Sequence, residues 1–345
     1  MSASPRVGGA IRAERCAFGK VNGKPFFTGR PPIKTGVIVN PHSAGGRTGR
    51  LWPAISDCLA RHLGPVEIRF TEAPGHASSL ARELIERGCQ RIIAAGGDGT
   101  ISEVASGFLK DDQPLNPDAC LGIVPLGTGG DFIRSLKIPR GPGDAIQAIA
   151  DGAALRIDVG KAHFQGDGGA PQSRYFVNLL SFGMGGEVAT RSRNWLNPLG
   201  GRVSFLYATA AAFLRYDMKT VRLRLDGNAD ALSFSVYNVA VGNGRFHGGG
   251  MQACPAAVLN DGLLDVTIIE NMGRFQAIRD FRILYSDNVY RHPRVKHLRA
   301  RMLHAEADEP VRIEIDGEPL GALPLEVTVL PRRLPVLVPP GFDLE

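Results

Sequence analysis

Three glycine-rich segments hold most of the side chains able to do chemistry in this 345-residue chain. They are Asn40-Pro41-His42-Ser43-Ala44-Gly45-Gly46, Gly96-Gly97-Asp98-Gly99-Thr100 and Pro125-Leu126-Gly127-Thr128-Gly129-Gly130-Asp131. Glycine lets a backbone approach a ligand closely, and serine and threonine hydroxyls add donors for phosphate oxygens. The second segment is the most informative, because a short apolar run enters it and a helical pattern leaves it. Backbone amides and the positive end of a helix dipole then face the loop, a ready site for a phosphate. Neither the second nor the third segment is a P-loop, since no Gly-Lys-Ser/Thr follows, and both lack the last glycine of the dinucleotide fingerprint. Farther on, Asn260-Asp261-Gly262 and Asp316-Gly317-Glu318 place carboxylates on turns, and by residue type alone each is equally an ordinary turn between strands. His42, His76, His163 and His247 have no metal-ligand spacing and read as surface or loop residues. His247, inside the 242–250 glycine run, is also a candidate for the cleft.

The elements that must position these residues change character midway. Short apolar runs at 37–39, 66–70, 91–95 and 121–124 alternate with helical patterns at 52–62, 77–87 and 101–108, which predicts a parallel sheet covered by helices. All three glycine segments then sit at the carboxyl ends of strands, where open α/β sheets bind ligands. After residue 156 the texture is strand-rich, with runs at 157–159, 174–180, 221–225, 233–241, 264–269, 311–315 and 325–329. Only two helical patterns interrupt it, at 198–214 and 273–290. The expected fold is α/β + β: a Rossmann-like three-layer N-terminal domain with a parallel sheet, then a mainly antiparallel β-sandwich. The expected divisions are a mobile tail over 1–32, a nucleotide-binding domain over 33–156 and a substrate domain over 157–330. Residues 331–345 are expected to return to the first domain.

Composition removes several function classes. Charged residues are 21% and hydrophobic residues 43%, so a large core is available and global disorder is excluded. Five scattered cysteines without C-x-x-C spacing argue against a disulfide framework or a structural zinc and fit a reducing cytosol. Residues 1–30 show no apolar signal core, and the longest apolar uncharged stretch, 203–214, is short of the ~20 residues that span a bilayer. The net charge of +6 permits an anionic partner. It concentrates in two runs: Arg191, Arg193, Arg202, Arg215, Lys219, Arg222 and Arg224, and then Arg291 to Arg301. No nucleic-acid-binding motif accompanies them.

The order of motifs resembles the diacylglycerol kinase catalytic-domain family, which includes bacterial soluble lipid kinases and sphingosine and ceramide kinases. More distantly it is similar to NAD kinases. The resemblance spans about 36–338 and rests on Asn-Pro-x-Ser at 40–43, Gly-Gly-Asp-Gly-Thr-x-x-Glu at 96–103 and Gly-Thr-Gly-x-Asp-Phe at 127–132. Asn-Asp-Gly-Leu-Leu-Asp at 260–265 and Asp316-Gly317-Glu318 complete it. It implies ATP and Mg²⁺ as cofactors, with ATP held by Asn40, Pro41, His42, Ser43, Ala44, Thr71, Gly97, Asp98, Gly99, Thr100, Ile101, Ser102, Glu103 and Thr128. It implies that Glu318 accepts the substrate proton with Asp316 beside it, and that Asp98 orients magnesium or takes that proton. It further implies a metal turn built from the Asp261 carboxylate and the carbonyls of Val258 and Leu263. Gly130 departs from the asparagine found in many relatives.

Four readings follow: a lipid kinase acting on a diacylglycerol-like or sphingoid hydroxyl, an NAD kinase-like soluble kinase, a non-catalytic lipid- or nucleotide-binding module, and a nucleic-acid binder. The lipid kinase accounts for the most residues. The expected partners are a lipid substrate, an anionic membrane surface and a second copy of the chain, with no nucleic acid. The expected location is cytoplasmic and peripherally membrane-associated, with the two basic runs as the docking face.

Overall fold

The structure is a computed structural model that describes residues 33–193, 216–271, 283, 285–286 and 288–343, with backbone only at 191–193. The expected tail at 1–32 and helical pattern at 198–214 lie outside these residues, as does most of 273–290. In chain order the first half contains β1 (Thr35–Val39), α1 (Ser43–Leu63), β2 (Val66–Phe70), α2 (His76–Glu86), β3 (Arg91–Gly96) and α3 (Asp98–Gly107). A small hairpin, β4 (Leu109–Lys110) and β5 (Gln113–Pro114), precedes β6 (Cys120–Pro125), α4 (Asp131–Ser135) and α5 (Pro142–Asp151).

Strands β2, β1, β3 and β6 pair in that order, all in parallel. Successive strand residues face opposite sides, and here both sides are covered. Val37, Val39, Ile93 and Ala95 pack with Trp52 and Leu59 of α1 and Ile146 and Ile149 of α5. Ile38, Ile92, Ala94 and Ile123 pack with Leu80 and Leu84 of α2 and Ile101 and Val104 of α3. Near-continuous apolar strands are thus explained by helices on both faces. β1, β3 and β6 each run at their carboxyl end into one glycine segment.

The second half contains β7 (Ala153–Gly166), β8 (Pro171–Phe176), β9 (Leu179–Gly183), α6 (Met184–Arg193), β10 (Lys219–Leu225) and β11 (Leu232–Gly242). It continues with β12 (Leu264–Glu270), β13 (Val295–Ala300), β14 (Met302–Ala307), β15 (Arg312–Ile315) and β16 (Glu318–Val338). All pairings among these strands are antiparallel. Two bridges join the long strands β11 and β16: β10 with β14, and β9 with β15. The strand circuit therefore closes on itself, around a core that includes Phe182, Val221, Leu303, Ile313 and Val327.

Two strands cross between the halves. β7 pairs with β16 from Ala153↔Val338 to Gly166↔Gly321, and Val336 pairs in parallel with Leu121 of β6. Leu334, Val336 and Val338 enter the core on the α2/α3 side of the first sheet, and Leu337 the opposite one. Two expectations differ from what is observed. The run at 174–180 is not one strand but two, broken at Val177-Asn178. Strands β13 and β14 were not expected, because polar residues (Lys296, His297 and Arg299 in β13, His304 and Glu306 in β14) interrupt their apolar ones.

Helices α2 and α3 touch at Gly107, where a Cβ would lie 2.4 Å from the Ser78 carbonyl oxygen and 2.7 Å from the Ala81 methyl. Overpacking of this kind costs about 1–3 kcal/mol. Gly107→Ala is accordingly expected to lower the urea midpoint with an unchanged slope.

Candidate active site

The first glycine segment is tied to the second through one amide side chain. Asn40 Nδ2 donates to Thr100 Oγ1 at 3.1 Å, while its Oδ1 accepts the His42 amide at 3.0 Å. Ser43 Oγ donates to the Asn40 carbonyl at 3.0 Å and lies 2.5 Å from Thr48 Oγ1. The Pro41 carbonyl accepts the Gly49 amide at 3.1 Å. Ala44, Gly45 and Gly46 follow one another in the left-handed region (φ 52°, 64° and 77°), so the regular turns of α1 begin only after them. The Thr71 amide donates to the Val39 carbonyl at 2.9 Å, which places the β2 exit beside this loop.

The second and third segments lie backbone on backbone. A Cβ on Gly127 would stand 2.5 Å from the Gly97 Cα, so this contact requires glycine. Gly97 is extended and caps α3, whose first residues are Asp98, Gly99 and Thr100. Gly96, Gly97, Asp98, Gly127, Gly130 and Arg140 line a small open cleft there. Arg140 Nη2 donates to the Gly129 carbonyl at 3.0 Å and fixes the outer rim. Thr128 is exposed at the loop tip. Gly130 caps α4 at φ 69°, a left-handed position that glycine and asparagine both tolerate, so the departure at this position preserves the backbone.

The carboxylates divide by what already holds them. Asp98 Oδ2 accepts the Gly130 amide at 2.7 Å and Oδ1 the Asp131 amide at 3.2 Å. It therefore braces the third loop. Burial pushes its carboxyl up, against the pull of those amides, and the neighbouring Asp131 adds to the push. Glu103 accepts the Gly75 amide at 2.8 Å and the Ala77 amide at 3.2 Å, capping α2. Both of its oxygens face away from a ligand role, and Ile101 is buried in the core. Ser102 donates through Oγ to Asp316 Oδ2 at 2.6 Å. Asp316 also accepts the amides of Val177, Asn178 and Leu179 at 3.2, 3.1 and 2.9 Å. Four donors engage this carboxylate, so it serves as a clasp between α3 and β9. Burial raises it, opposed by the same four donors.

Glu318 is placed differently. Its side chain is 38% exposed, its Oε1 lies 3.6 Å from where a Cβ on Gly99 would be, and Arg174 Nη2 donates to its Oε2 at 2.8 Å. Of the three catalytic candidates it alone faces the amino end of α3 across the two halves of the molecule. Arg174 is a residue the sequence reading missed; only its arginine type in a strand preceding the clasp could have signalled it.

The expected metal turn is engaged by protein groups. Asp261 Oδ1 accepts the Leu263 amide at 3.0 Å, and Oδ2 is held by Arg299. The adjacent buried Asp265 contacts His297 Nε2 at 2.5 Å and Arg299 Nε at 3.4 Å. Val258 lies at another small cavity, with Arg134, Lys137 and Arg245. Among the described residues no three His, Cys, Asp or Glu side chains converge as a metal cluster. A cation at Asp261 would have to displace a guanidinium, so the residues as arranged do not fit one.

Two other groups are tied to the 247–251 loop. Asp131 Oδ2 accepts the Gly249 amide at 2.8 Å, while its buried Oδ1 has no hydrogen bond and faces Arg134 Nε at 3.8 Å. His247 Nε2 contacts Glu314 Oε1 at 2.7 Å; it lies in a loop, as expected, but is mostly buried and not at the surface.

The geometry has parallels in known proteins. Residues 34–162 match the diacylglycerol kinase catalytic domain, and residues 178–338 match the YegS C-terminal NAD kinase beta sandwich-like domain. A "Probable lipid kinase YegS-like" protein of Pectobacterium atrosepticum is 32% identical over 309 residues, covering 89% of this chain and 97% of that one. The chain belongs to the diacylglycerol kinase catalytic-domain family. A like-named protein of Serratia proteamaculans is 30% identical over 91% of this chain and 97% of its own. In fold the chain is similar to a crystal structure of a diacylglycerol kinase from Bacillus anthracis str. Sterne. That match has a TM-score of 0.66 and 24% identity, and covers 90% of this chain and 98% of that one. The chain is thus an enzyme of a kinase family, with a mixed α/β half followed by an antiparallel β-rich half.

Asp316→Ala leaves four donors without an acceptor, and each buried unsatisfied group costs about 1–3 kcal/mol. The expected loss, measured by chemical denaturation, is about 2–4 kcal/mol after partial relaxation, with Ser102→Ala losing less.

Proposed function

We propose that this enzyme transfers the γ-phosphoryl group of Mg-ATP to a hydroxyl of a diacylglycerol-like or sphingoid lipid. The observation that carries the reading is the approach of Glu318 to Gly99, which sets a carboxylate opposite the amide-rich start of α3. Phosphoryl transfer needs positioning, charge neutralisation and a base beside the attacking hydroxyl. The left-handed turn at 44–46, the amides at the start of α3 and the braced 127–130 loop supply donors for phosphate oxygens. Magnesium arriving with the nucleotide would neutralise charge on those oxygens. Glu318 is positioned to accept the hydroxyl proton, and its Arg174 partner orients the carboxylate. Asp98, Glu103 and Asp316 act at one remove, by holding the loops and the clasp.

The lipid must be met at a surface. Among the described residues no helix is long and apolar enough to cross a membrane. Within the first basic run, Lys219 pairs with Glu309, Arg222 with Glu306 and Asp308, and Arg224 with Glu306. Those charges are neutralised, and Arg202 and Arg215 and the side chains of Arg191 and Arg193 lie outside the description. The second run is different. Arg291, Arg294, Lys296 and Arg301 are exposed and have no carboxylate within ion-pair distance among the described residues. Strand β13 ends the sheet path, so this run lies along a free edge. Each such cation contributes about 1 kcal/mol at an anionic lipid surface, which supports docking here.

Incubation with Mg-ATP and a lipid panel is expected to give phosphorylated lipid. Glu318→Gln is expected to lower kcat by about 10²–10⁴-fold with nucleotide binding retained. Phosphorylation of NAD instead of lipid would transfer the reading to a soluble kinase. Co-sedimentation with phosphatidylglycerol vesicles is expected to weaken with salt and to fall when Arg294 and Lys296 are both changed to Glu. Unchanged binding in that variant would remove β13 as the docking edge.

A further inference from the structure

The triple-glycine segment 248–250 sits between two acids that neither the nucleotide loops nor the proton acceptor uses. His247 and Met251 exchange backbone hydrogen bonds at 2.8 and 2.9 Å, closing a tight hairpin. Gly248, Gly249 and Gly250 all occupy the left-handed region (φ 62°, 84° and 115°), which side-chain-bearing residues rarely enter. At one end the His247 imidazole meets Glu314, whose same oxygen also accepts Ser181 Oγ at 2.8 Å. At the other end the Gly249 amide holds Asp131 Oδ2. Arg134 lies beneath, within 3.2 Å of where a Cβ on Gly250 would be. The hairpin therefore links β15 of the second half to the third glycine segment of the first.

We propose that His247 is a positioning residue for Asp131: through Glu314 it pins the hairpin so that the Gly249 amide holds one Asp131 oxygen and sets the start of α4, whose first amide braces Asp98. The inference rests on the kinase reading given above. A hairpin of three glycines has little conformational preference of its own, so its place must come from its anchors. The anchors are few: the Glu314 contact, the Gly249 amide and the Met251 exchange. A displacement of 1 Å that begins far from the chemistry can cost about 10²-fold in rate, so an anchor this remote still matters to turnover through the Asp131–Asp98 brace.

The charges around His247 also set a pH at which the anchor fails. Burial pulls the imidazole down, but Glu314 charge and hydrogen bonding, with Asp131 and Asp316 behind, push it up to about 9. Glu314 is correspondingly held below the usual carboxylate range despite burial. Arg134 is the cationic group on the opposite side, beneath Gly250. A raised imidazole contributes stability that is fully present below its ordinary value and is lost as pH rises through about 9.

The test uses the full chain with His247→Gln, assayed for lipid phosphorylation from pH 6 to pH 10. Nitrogen NMR of the wild-type histidines accompanies it. The expected result is a kcat at least tenfold lower with KM for ATP within about twofold, as misplacement of one acid implies. Wild-type kcat is expected to fall as pH passes about 9, and this alkaline limb is expected to vanish in the variant. A variant with wild-type kcat, or with the alkaline limb unchanged, overturns the proposal. If His247→Gln does not fold, the wild type decides: an imidazole at 247 that titrates below pH 7 overturns the clasp. Should the wild type phosphorylate no lipid, the kinase reading fails, while the NMR titration still judges the His247–Glu314 contact.

Discussion

The Asp316 carboxylate is the constraint from which the site's geometry follows. Asp316 and Gly317 both have positive φ (48° and 86°) between the paired residues Ile315 and Glu318, a two-residue turn that favours Asp-Gly. The turn aims the carboxylate back at the break between β8 and β9. There the amides of 177–179 leave the strand ladder and need an acceptor. The same carboxylate takes the Ser102 hydroxyl, so a residue of the second half fixes the register of α3 in the first. Everything at the amino end of α3, including Gly99 and Asp98, is positioned relative to Glu318 through this bond.

A second constraint keeps that register from drifting. β7 and β16 run together through both halves, and β16 ends as a strand beside β6. A hinge at one peptide would let the two halves rotate. A paired two-strand crossing resists it, because bending would break several ladder bonds at once. The cleft is therefore held at its floor by strands and at its rim by side chains, the Asn40–Thr100 bond and the Asp98 brace among them.

The first half was legible because its signals are local. β-branched runs, helical spacing and glycine clusters each follow from a few neighbouring residues, and the parallel pairing explains why those runs lack polar alternation. The three glycine segments were correctly grouped, and Glu318 does meet the start of α3. What could not be read was the use to which each acid is put. Asp98, Glu103 and Asp316 carry the same motif status as Glu318. Yet amides and a hydroxyl from residues up to 214 positions away engage them, and no spacing rule encodes that. Strands β13 and β14 were hidden by polar residues set among their apolar ones, β13 at the end of the sheet path and β14 between β10 and β16. His247 was misjudged because its partner, Glu314, lies 67 positions on.

The acids at 314, 316 and 318 show how one short stretch can serve three functions. They recur at every second residue across a tight turn, yet each meets a different set of partners. Glu314 is buried and matched by an imidazole and a hydroxyl, and Asp316 is matched by a hydroxyl and three amides. A carboxylate so engaged has its oxygens occupied inside the fold and is not presented to a substrate hydroxyl. Glu318 is paired with Arg174 and remains more than a third exposed, which leaves it accessible to an incoming hydroxyl. The stretch thus carries two acids that hold the architecture and one that the architecture presents to substrate. The distinction lies in burial and position, and not in the residues themselves.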